Sequence, residues 1–352
     1  MKSLRILLLP FSLLYGVITW IRNVLYDWKI LPSYTAELPV ICIGNLRVGG
    51  TGKTPHTEYL IRLLKNDYRV ATLSRGYGRS TTGFAEVTGS SLASEVGDEP
   101  LQLKKKFGEE VLVCVDEDRK HGIQQILGAH PERDIILLDD AYQHRAVKAG
   151  LNILLSDYSA PFYSDYLLPA GNLRESRSGV SRADVVIFTK CPPDLEERKK
   201  EIIRKRFPGK TVLFSYLTYA SPRLLSDLQE HPFPADLSGI LLLSGIANNA
   251  PLKAWLEKQT TQLQVCEFPD HRNFSASDMD KMRAAFESMS EKNNIIVTSE
   301  KDTMRLLPPP IYQLIAKLPI YYVPIYIEFS EADREQFHHL TRRYVEENKK
   351  RS

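Results

Sequence analysis

A glycine-rich segment that follows a short apolar run constrains the fold of this chain more than any other feature. Residues 40–43 read VICI, and residues 44–54 read GNLRVGGTGKT. A strand, a glycine loop and a helix are expected in that order, because branched apolar residues favour strands and glycines permit the tight turn. The helix is predicted to begin at Gly52–Lys53. This strand–loop–helix unit is typical of α/β proteins.

Short apolar runs alternate with longer amphipathic stretches up to about residue 190. The runs have four or five residues, are rich in Val, Ile and Leu and lack strict alternation, which is typical of strands buried on both faces of a parallel sheet. Helices are predicted between them, for example at Thr57–Leu64 and His121–Leu127. The fold is therefore predicted to be a doubly wound α/β sheet. The predicted strands are Pro39–Ile43, Val70–Leu73, Val111–Val115, Asp134–Leu138, Asn152–Leu155 and Asp184–Phe188.

The second part of the chain has its own α/β pattern. A length of 352 residues suits two domains. Prolines interrupt the pattern between residues 222 and 234, and apolar runs resume at Ile240–Leu243. Pro324 lies inside the strand-like run 321–329 and predicts an edge position for it. The predicted units are an N-terminal helix over 1–30, a large α/β domain over 31–211, an extended linker over 212–238, and a smaller α/β lobe over 239–352 with a returning linker strand near 321–329.

The N-terminus carries sixteen consecutive uncharged residues, Ile6–Ile21. About 20 residues are needed to span a bilayer as a helix, so this run is short for a membrane span. Trp20 and Trp28 are suited to the headgroup level of a membrane. We predict a membrane-associated helix inserted in the interface or lying on it. A hydrophobic core helix is the alternative.

The glycine loop has the chemistry of a phosphate-binding site. Its backbone N–H groups can surround a phosphate, and the helix N-terminus adds positive charge. Lys53 is expected to reach the β- and γ-phosphates, and the Thr54 hydroxyl is expected to bind Mg²⁺. The usual G-x-x-x-x-G-K-[ST] pattern has glycine where this chain has Arg47. The predicted nucleotide-binding residues are Arg47, Val48, Gly49, Gly50, Thr51, Gly52, Lys53 and Thr54.

Two carboxylates follow a predicted strand and suit a metal site. Asp139 and Asp140 come directly after the apolar residues 135–138. Ligands bind at the carboxyl edge of strands in open α/β sheets, so these side chains are candidates for Mg²⁺ binding. One of the two could instead cap a helix.

The nucleotide is predicted to be ATP. Guanine-specific loops typically carry the pattern N/T-K-x-D after a late strand. Thr189 and Lys190 follow the predicted strand 184–188, but Pro192 stands where the carboxylate is required. The pattern therefore favours adenine over guanine.

Seven segments, in order along the chain, resemble those of one family. This family is the tetraacyldisaccharide 4′-kinases, or lipid A 4′-kinases, of Gram-negative bacteria. Ala141 and Tyr142 depart from the family, which usually has Gly and Phe there. The segments are Gly44-Asn45 leading into GGTGKTP, Ser74–Arg79 (SRGYGR), Gly97–Pro100 (GDEP), Asp139–Arg145 (DDAYQHR), Leu168–Glu175 (LPAGNLRE), Phe268–His271 (FPDH) and Thr298–Leu306 (TSEKDTMRL).

The resemblance implies a reaction and a location. The reaction is ATP-dependent phosphorylation of the 4′-hydroxyl of tetraacyldisaccharide 1-phosphate, which yields a bis-phosphorylated lipid A precursor, lipid IVA. Two α/β/α lobes joined by a two-stranded linker are implied, with residues 31–211 as the P-loop kinase domain. The N-terminal helix is expected to anchor the protein to the cytoplasmic face of the inner membrane and to offer an apolar surface to the acyl chains.

The resemblance also assigns roles to residues. An Asp–His pair maps onto Asp98 and His271. Asp98 is expected to accept the hydroxyl proton, and His271 is expected to orient the Asp98 carboxylate. Glu175 joins Thr54 and the Asp139/Asp140 pair as a Mg²⁺ ligand, with a salt bridge to Arg174 or Arg177 as its alternative. The alternatives for Asp98 and His271 are a loop turn and a structural histidine. The candidate substrate-binding residues are Asn45, Arg75, Tyr77, Arg119, Gln143, His144 and Arg174.

Other functional classes fit the sequence less well. A net charge of +3 is too small to indicate nucleic acid as a partner. A partner-regulating switch ATPase with the deviant loop K-G-G-x-G-K-T would need lysine at Val48. A kinase for a small soluble molecule would require residues 6–21 to be core. No obligate protein partner is inferred.

Overall fold

The structure, a computed structural model, describes residues 5–270, 272–289 and 293–349. It is an α/β fold with two mixed sheets. The strands are β1 Val40–Asn45, β2 Val70–Ser74, β3 Ala85–Glu86, β4 Leu112–Val115, β5 Ile135–Asp139, β6 Leu151–Asp157, β7 Val185–Thr189, β8 Thr211–Tyr219, β9 Arg223–Leu224, β10 Gly239–Ser244, β11 Gln262–Glu267, β12 Asn294–Ser299, β13 Ile320–Val323 and β14 Ile325–Phe329. The α-helices are α1 Leu9–Asp27, α2 Lys53–Leu64, α3 Ala93–Val96, α4 Asp98–Phe107, α5 Arg119–Ala129, α6 Glu197–Arg204, α7 Ala250–Leu256, α8 Ala276–Glu287, α9 Glu300–Leu306, α10 Pro309–Ile315 and α11 Glu331–Asn348.

The first sheet has nine strands in the order β14-β8-β7-β6-β1-β5-β2-β4-β3. The strands from β8 to β4 are parallel, and the two edge strands, β14 and β3, are antiparallel to their neighbours. Each of the six predicted apolar runs forms one of the parallel strands. Their residues are buried on both faces, which explains why the runs lack alternation.

Helices cover both faces of this sheet and complete what we call the first lobe. Leu60, Ile61 and Leu64 of α2 are fully buried on one face. On the other face, Ile123 and Ile126 of α5 are fully buried. The carboxyl ends of the parallel strands therefore meet at one edge of a rigid core.

The second sheet has five strands in the order β11-β10-β12-β13-β9, and only β9 is antiparallel to its neighbour. Leu252 and Leu256 of α7 pack on one face, and Met279 and Met282 of α8 pack on the other. This sheet, with α7, α8, α9 and α10, is called the second lobe.

Two antiparallel strands connect the lobes. β8 pairs with β14 in a register that runs from Tyr219 opposite Ile325 to Ser215 opposite Phe329. The run 321–329, predicted as a single edge strand, is divided by Pro324 into β13 and β14. β13 lies inside the second sheet and β14 at the edge of the first, so the edge prediction was wrong for β13. Proline lacks the N–H that a continuous strand would need there.

The closing helix α11 packs on the first lobe. The sequence places residues 239–352 in the C-terminal lobe, and this is wrong for α11. Phe337 and Val345 are buried in the core of the first sheet, and the Tyr344 hydroxyl donates to the Val40 carbonyl over 3.0 Å. The physical reason is the return of the chain through β14, which delivers α11 to the first lobe.

Helix α1 presents its apolar side chains outward. Leu13, Leu14 and Ile18 are among its exposed residues, and Ser12 is its one buried residue. The alternative of a hydrophobic core helix is therefore wrong. Within the described part of the chain, no helix is long and apolar enough to cross a membrane.

The position of α11 predicts the stability of a core variant. Phe337 is 1% exposed and packs against Tyr59 and Phe329. Phe337→Ala is expected to lower the free energy of unfolding by about 3–5 kcal/mol, because it leaves a cavity in the first lobe. Urea unfolding measures this change. His339→Ala, at an exposed position of the same helix, is the control and should change it by less than about 0.5 kcal/mol; equal effects would contradict the assignment of α11 to the core.

Candidate functional site

The glycine loop lies between β1 and α2, at the carboxyl edge of the first sheet. Gly49 and Gly52 have φ values of +114° and +84°, which L side chains rarely adopt. Gly52 is the N-cap of α2 and no side chain caps that end. The N–H groups of the first turn are therefore available to an anion.

The ends of neighbouring strands support this loop from below. The Asn45 amide donates to Thr51 Oγ1 over 2.8 Å, and the Thr189 hydroxyl donates to the Thr51 carbonyl over 2.9 Å. Lys190 donates to the Gly50 carbonyl and pairs with Asp157 at 2.9 Å. Sequence reasoning considered the Thr189–Lys190 pair only for base selection. The structure gives it a second role, in bracing the loop.

Asn45 was predicted to contact the substrate; that role stays a prediction, and the structure gives the side chain a second role in supporting the loop. Its side chain is fully buried beneath the loop and bonded to Thr51. This second role is to hold the loop in shape.

Arg47 lies at the position that usually carries the first glycine. Its Nε donates to Asp165 Oδ2 over 2.7 Å, and its backbone forms a bridge with Leu173. The ion pair directs the long side chain to Asp165 beside the loop, so arginine is accommodated at this position.

The loop forms one wall of a cleft of about 510 Å³ between the lobes. All eight predicted nucleotide-binding residues, 47–54, line it. Its apolar lining comes from the linker strands and from the second lobe, which sequence reasoning did not identify because these segments are distant in sequence. The lining includes Leu217, Tyr219, Ile246, Pro251, Leu252, Val323 and Ile325.

Asp139 and Asp140 lie at the end of β5, near the loop and α2. Asp139 accepts a hydrogen bond from Thr57 of α2, and Asp140 lies 3.5 Å from Lys53 Nζ. Burial, with repulsion from Asp140, raises the pKa of Asp139 to about 7. Burial alone would raise the pKa of Asp140, but Lys53 and Arg174 outweigh it and hold that pKa below its usual value. The two carboxylates therefore differ in their affinity for a proton.

Glu175 was predicted to bind Mg²⁺, and this role stays a prediction; in the structure its carboxylate is held by three other side chains. Its carboxylate accepts bonds from Asn23, from Gln143 and, on both oxygens, from Arg182, at 2.8–3.1 Å. These bonds fix the orientation of the carboxylate. The ion-pair partner is Arg182, whereas the sequence suggested Arg174 or Arg177. Gln143, predicted to bind the substrate, belongs to the same network and also donates to the Asn45 carbonyl.

The hydroxyl and carboxylate groups beside the loop fit a magnesium ion that arrives with a nucleotide. Among the described residues, no group of three or more His, Cys, Asp and Glu side chains could hold a metal ion. Mg²⁺ in nucleotide sites uses one or two protein ligands together with phosphate and water oxygens. Thr54 lines the cleft, and Asp140 lies beside Lys53. Thr54 and Asp139 or Asp140 fit such a site, and Glu175 stays a predicted further ligand.

Asp98 lies where the two lobes meet. It is the first residue of α4, is 6% exposed, and has its Oδ2 atom 3.4 Å from Arg305 Nε of the second lobe. Its neighbour Glu99 lines the cleft and pairs with Lys301 at 2.9 Å. His271 lies outside the described residues; Phe268, at the start of the same FPDH segment, is buried in the second lobe.

Several positive groups gather near Asp140. Arg119 is buried, its Nε makes no hydrogen bond to any described residue, and burial lowers its pKa to about 10. Burial, followed by repulsion from Arg119 and Arg22, lowers the pKa of His144. Arg22 of α1 was not predicted; it donates to the Gln143 carbonyl over 2.8 Å. This cluster suits an anionic group of a ligand.

Of the other predicted ligand contacts, Arg75 adds its charge to this cluster, since it lowers the pKa of His144 and of Arg119. Arg75 and Tyr77 are exposed, in the turn that follows β2. Arg174 pairs with Asp140 at 2.9 Å, and its carbonyl accepts from Tyr15 of α1 over 2.6 Å. Arg174 therefore links the N-terminal helix to the carboxylates of the site.

A buried histidine joins the loop helix to the linker. The His56 ring donates from Nδ1 to the Gly52 carbonyl over 2.7 Å, and Nε2 accepts from the Ser215 hydroxyl over 3.0 Å. Burial lowers the pKa of His56 to about 4, although the bond to Gly52 favours the charged form. The ring is neutral in the folded protein at pH 7.

His56 predicts how stability depends on pH. The unfolded state binds a proton near pH 6.5 and the folded state only near pH 4, so stability rises with pH between those values. Lowering the pH from 7 to 5 should cost wild type about 2 kcal/mol more than it costs His56→Gln. Urea unfolding at both pH values measures this; parallel pH dependences for the two proteins would contradict it.

Comparisons with known proteins agree with this geometry. The family model described as "Tetraacyldisaccharide-1-P 4′-kinase" matches residues 4–344. A tetraacyldisaccharide 4′-kinase of Bacteroides thetaiotaomicron is 44% identical over 98% of this chain and 94% of that protein. Its counterpart in Flavobacterium johnsoniae is 44% identical over 99% of both chains.

A solved structure is also similar. LpxK from Aquifex aeolicus, described as an "apo" form in complex with ATP, superposes with a TM-score of 0.76 at 30% identity. The match covers 97% of this chain and 99% of that one. The switch-ATPase alternative has no support from these comparisons. With a family match over nearly its full length, this chain belongs to the tetraacyldisaccharide-1-P 4′-kinase family.

Proposed function

We propose that this protein transfers the γ-phosphate of ATP to the 4′-hydroxyl of tetraacyldisaccharide 1-phosphate and so produces lipid IVA, the bis-phosphorylated lipid A precursor. The observation that carries the proposal is the cleft in which the glycine loop of the first lobe faces Lys301 of the second lobe and the start of α4. The family of the chain supports the lipid acceptor.

ATP is held at two ends of the cleft. Its phosphates lie on the loop, where the N–H groups of the α2 N-terminus and Lys53 offset their charge. Its adenine occupies the apolar end beside Tyr219 and Ile325. Thr54 and one of Asp139 or Asp140, with Glu175 as a further predicted ligand, would hold Mg²⁺, and the bound ion would neutralise charge at the transferring phosphate.

Transfer is a displacement at the γ-phosphorus. The 4′-oxygen bonds to phosphorus, the bond to the β-γ bridging oxygen breaks, and ADP leaves. The hydroxyl proton passes to the Asp98 carboxylate. General-base assistance of this kind contributes about 10²- to 10⁴-fold. His271 is proposed to orient Asp98.

Approach of the lobes completes the site. Residues of both lobes line the cleft, so the acceptor and ATP meet only when the second lobe is in place. Exclusion of water protects ATP from hydrolysis.

The acceptor lipid has two chemical demands. Its 1-phosphate requires cations and hydrogen-bond donors; Arg22, Arg75 and Arg119 supply the charge, and the imidazole of His144, whose pKa is lowered, supplies a donor. Its acyl chains require an apolar surface, and the exposed face of α1 supplies one beside the bilayer. We place the protein at the cytoplasmic face of the inner membrane, with α1 lying in the interface.

The catalytic proposal predicts a loss of turnover in Asp98→Asn. With radiolabelled γ-ATP, Mg²⁺ and tetraacyldisaccharide 1-phosphate, wild type should form a labelled bis-phosphate lipid. Asp98→Asn should lower kcat by about 10²- to 10⁴-fold with little change in the KM for ATP, because the amide accepts no proton. Asp67→Asn, at an exposed ion pair with Arg342, is the control. Absence of labelled lipid from wild type would contradict the function, and an equal change in KM would contradict the role of Asp98.

The membrane proposal predicts weaker binding for a charged α1. Ile18 is 59% exposed. Ile18→Glu should reduce binding to vesicles of anionic phospholipid by at least about tenfold, because a carboxylate then faces the acyl chains. Leu314→Glu adds the same charge at an exposed site of the second lobe and should bind as wild type does. Sedimentation with the vesicles measures this; equal binding of both variants would exclude α1 as the contact.

A further inference from the structure

Helix α9 brings two cations to the start of α4. Lys301 and Arg305 are four residues apart and therefore lie on one face of the helix. Lys301 pairs with Glu99 at 2.9 Å, and Arg305 Nε lies 3.4 Å from Asp98 Oδ2. The two pairs cross from the second lobe to the first, at the residue proposed as the general base.

Arg305 is fixed by three segments of the second lobe. It donates to the Gly245 carbonyl over 3.2 Å, to the Arg272 carbonyl over 3.0 Å and to Asp302 Oδ1 over 2.7 Å. Its guanidinium lies 5.7 Å from the Phe274 ring centroid. Arg272 directly follows His271 in the sequence. The Arg305 guanidinium therefore contacts the residue after His271 and also faces Asp98, the other member of the Asp–His pair.

One nitrogen of Arg305 is not used within its own lobe. Nε is buried and makes no hydrogen bond to any described residue, although Asp98 Oδ2 lies 3.4 Å from it. Arg305 is only 4% exposed, and Asp302 already neutralises its charge. Stabilising the second lobe does not require the Arg305 guanidinium to face Asp98. Its direction indicates a role across the lobe boundary.

We propose that Arg305 is a positioning residue for phosphoryl transfer, which sets the orientation of the Asp98 carboxylate from the second lobe. This inference rests on the proposed function of Asp98. Arg305 links Asp98 to the segment after His271, so the base reaches its working orientation only when the lobes are correctly docked.

The choice of arginine has a physical reason. A guanidinium is a rigid fork whose N–H groups point in several fixed directions, so it can hold Gly245, Arg272 and Asp302 while it faces Asp98. A lysine ammonium keeps the charge but cannot reproduce this set of directions. Arg305→Lys therefore keeps the positive charge and removes the set of N–H directions on which the positioning depends.

A double-mutant cycle tests the inference. Arg305→Lys should lower kcat by about 10- to 100-fold, the effect expected of a misplaced reacting group, and leave the KM for ATP within about threefold. In the Asp98→Asn background the same change should lower the rate by less than about twofold, because the oriented group is already gone. Single-turnover reactions with excess enzyme keep the slow variants measurable.

Lys106→Met is the matched control. Lys106 also joins the lobes, with Nζ 2.7 Å from Glu58 and 2.7 Å from Glu300, and the structure gives it no contact with Asp98. Its effect on kcat should be the same factor with and without Asp98→Asn. If Arg305→Lys only loosened the contact between the lobes, it too would lower kcat by the same factor with and without Asp98→Asn.

A second variant guards against misfolding. Asp302→Asn leaves both Arg305 and Asp98 in place and removes the charge that anchors the guanidinium. Circular dichroism establishes that each variant is folded at the assay temperature. Asp302→Asn should show the same dependence on Asp98 as Arg305→Lys, with a smaller loss of kcat.

The outcomes separate the inference from the proposed function. If Asp98→Asn slows turnover and the Arg305→Lys factor is equal in both backgrounds, Arg305 is only structural and the inference is overturned. If Asp98→Asn leaves turnover unchanged, the base role of Asp98 fails, and the inference fails with it. A loss that disappears in the Asp98→Asn background supports positioning.

Discussion

The antiparallel pairing of β8 with β14 is the constraint on which the rest of this structure depends. It joins the two sheets and supplies Leu217, Tyr219 and Ile325 to the cleft. It also delivers α11 to the core of the first lobe, and it places Ser215 against His56 of the loop helix. Because two strands cross between the lobes, the second lobe is held over the glycine loop by backbone hydrogen bonds.

Charge pairs complete the docking of the lobes. Helix α4 faces α9 through Asp98 with Arg305, Glu99 with Lys301, and Lys106 with Glu300. Lys106 also neutralises Glu58, and burial with repulsion from Glu58 raises the pKa of Glu300. Buried pairs of this kind are costly to break because one charge is left unpaired. They fix the relative position of the lobes beside the cleft, which Glu99, Glu300 and Lys301 line.

The two faces of the N-terminal helix α1 have different contacts. Its polar side chains form hydrogen bonds to the rest of the protein: Ser12 donates to the Leu167 carbonyl, Tyr15 to the Arg174 carbonyl and Asn23 to Glu175. Its apolar groups face outward. Since Arg174 pairs with Asp140, the helix is connected to the carboxylates of the site through two contacts.

Sequence alone determined the local features: six of the seven parallel strands of the first sheet, the glycine loop, the carboxylates at the end of β5, and the family. These follow from short-range patterns of apolar residues, glycine and charge. Only the tertiary structure decided that Pro324 divides two sheets, that α11 belongs to the first lobe, that Glu175 is bonded to Arg182, and that Arg305 faces Asp98. Each of these depends on residues brought together from distant parts of the chain, and no local pattern records which distant side chain will satisfy a buried charge.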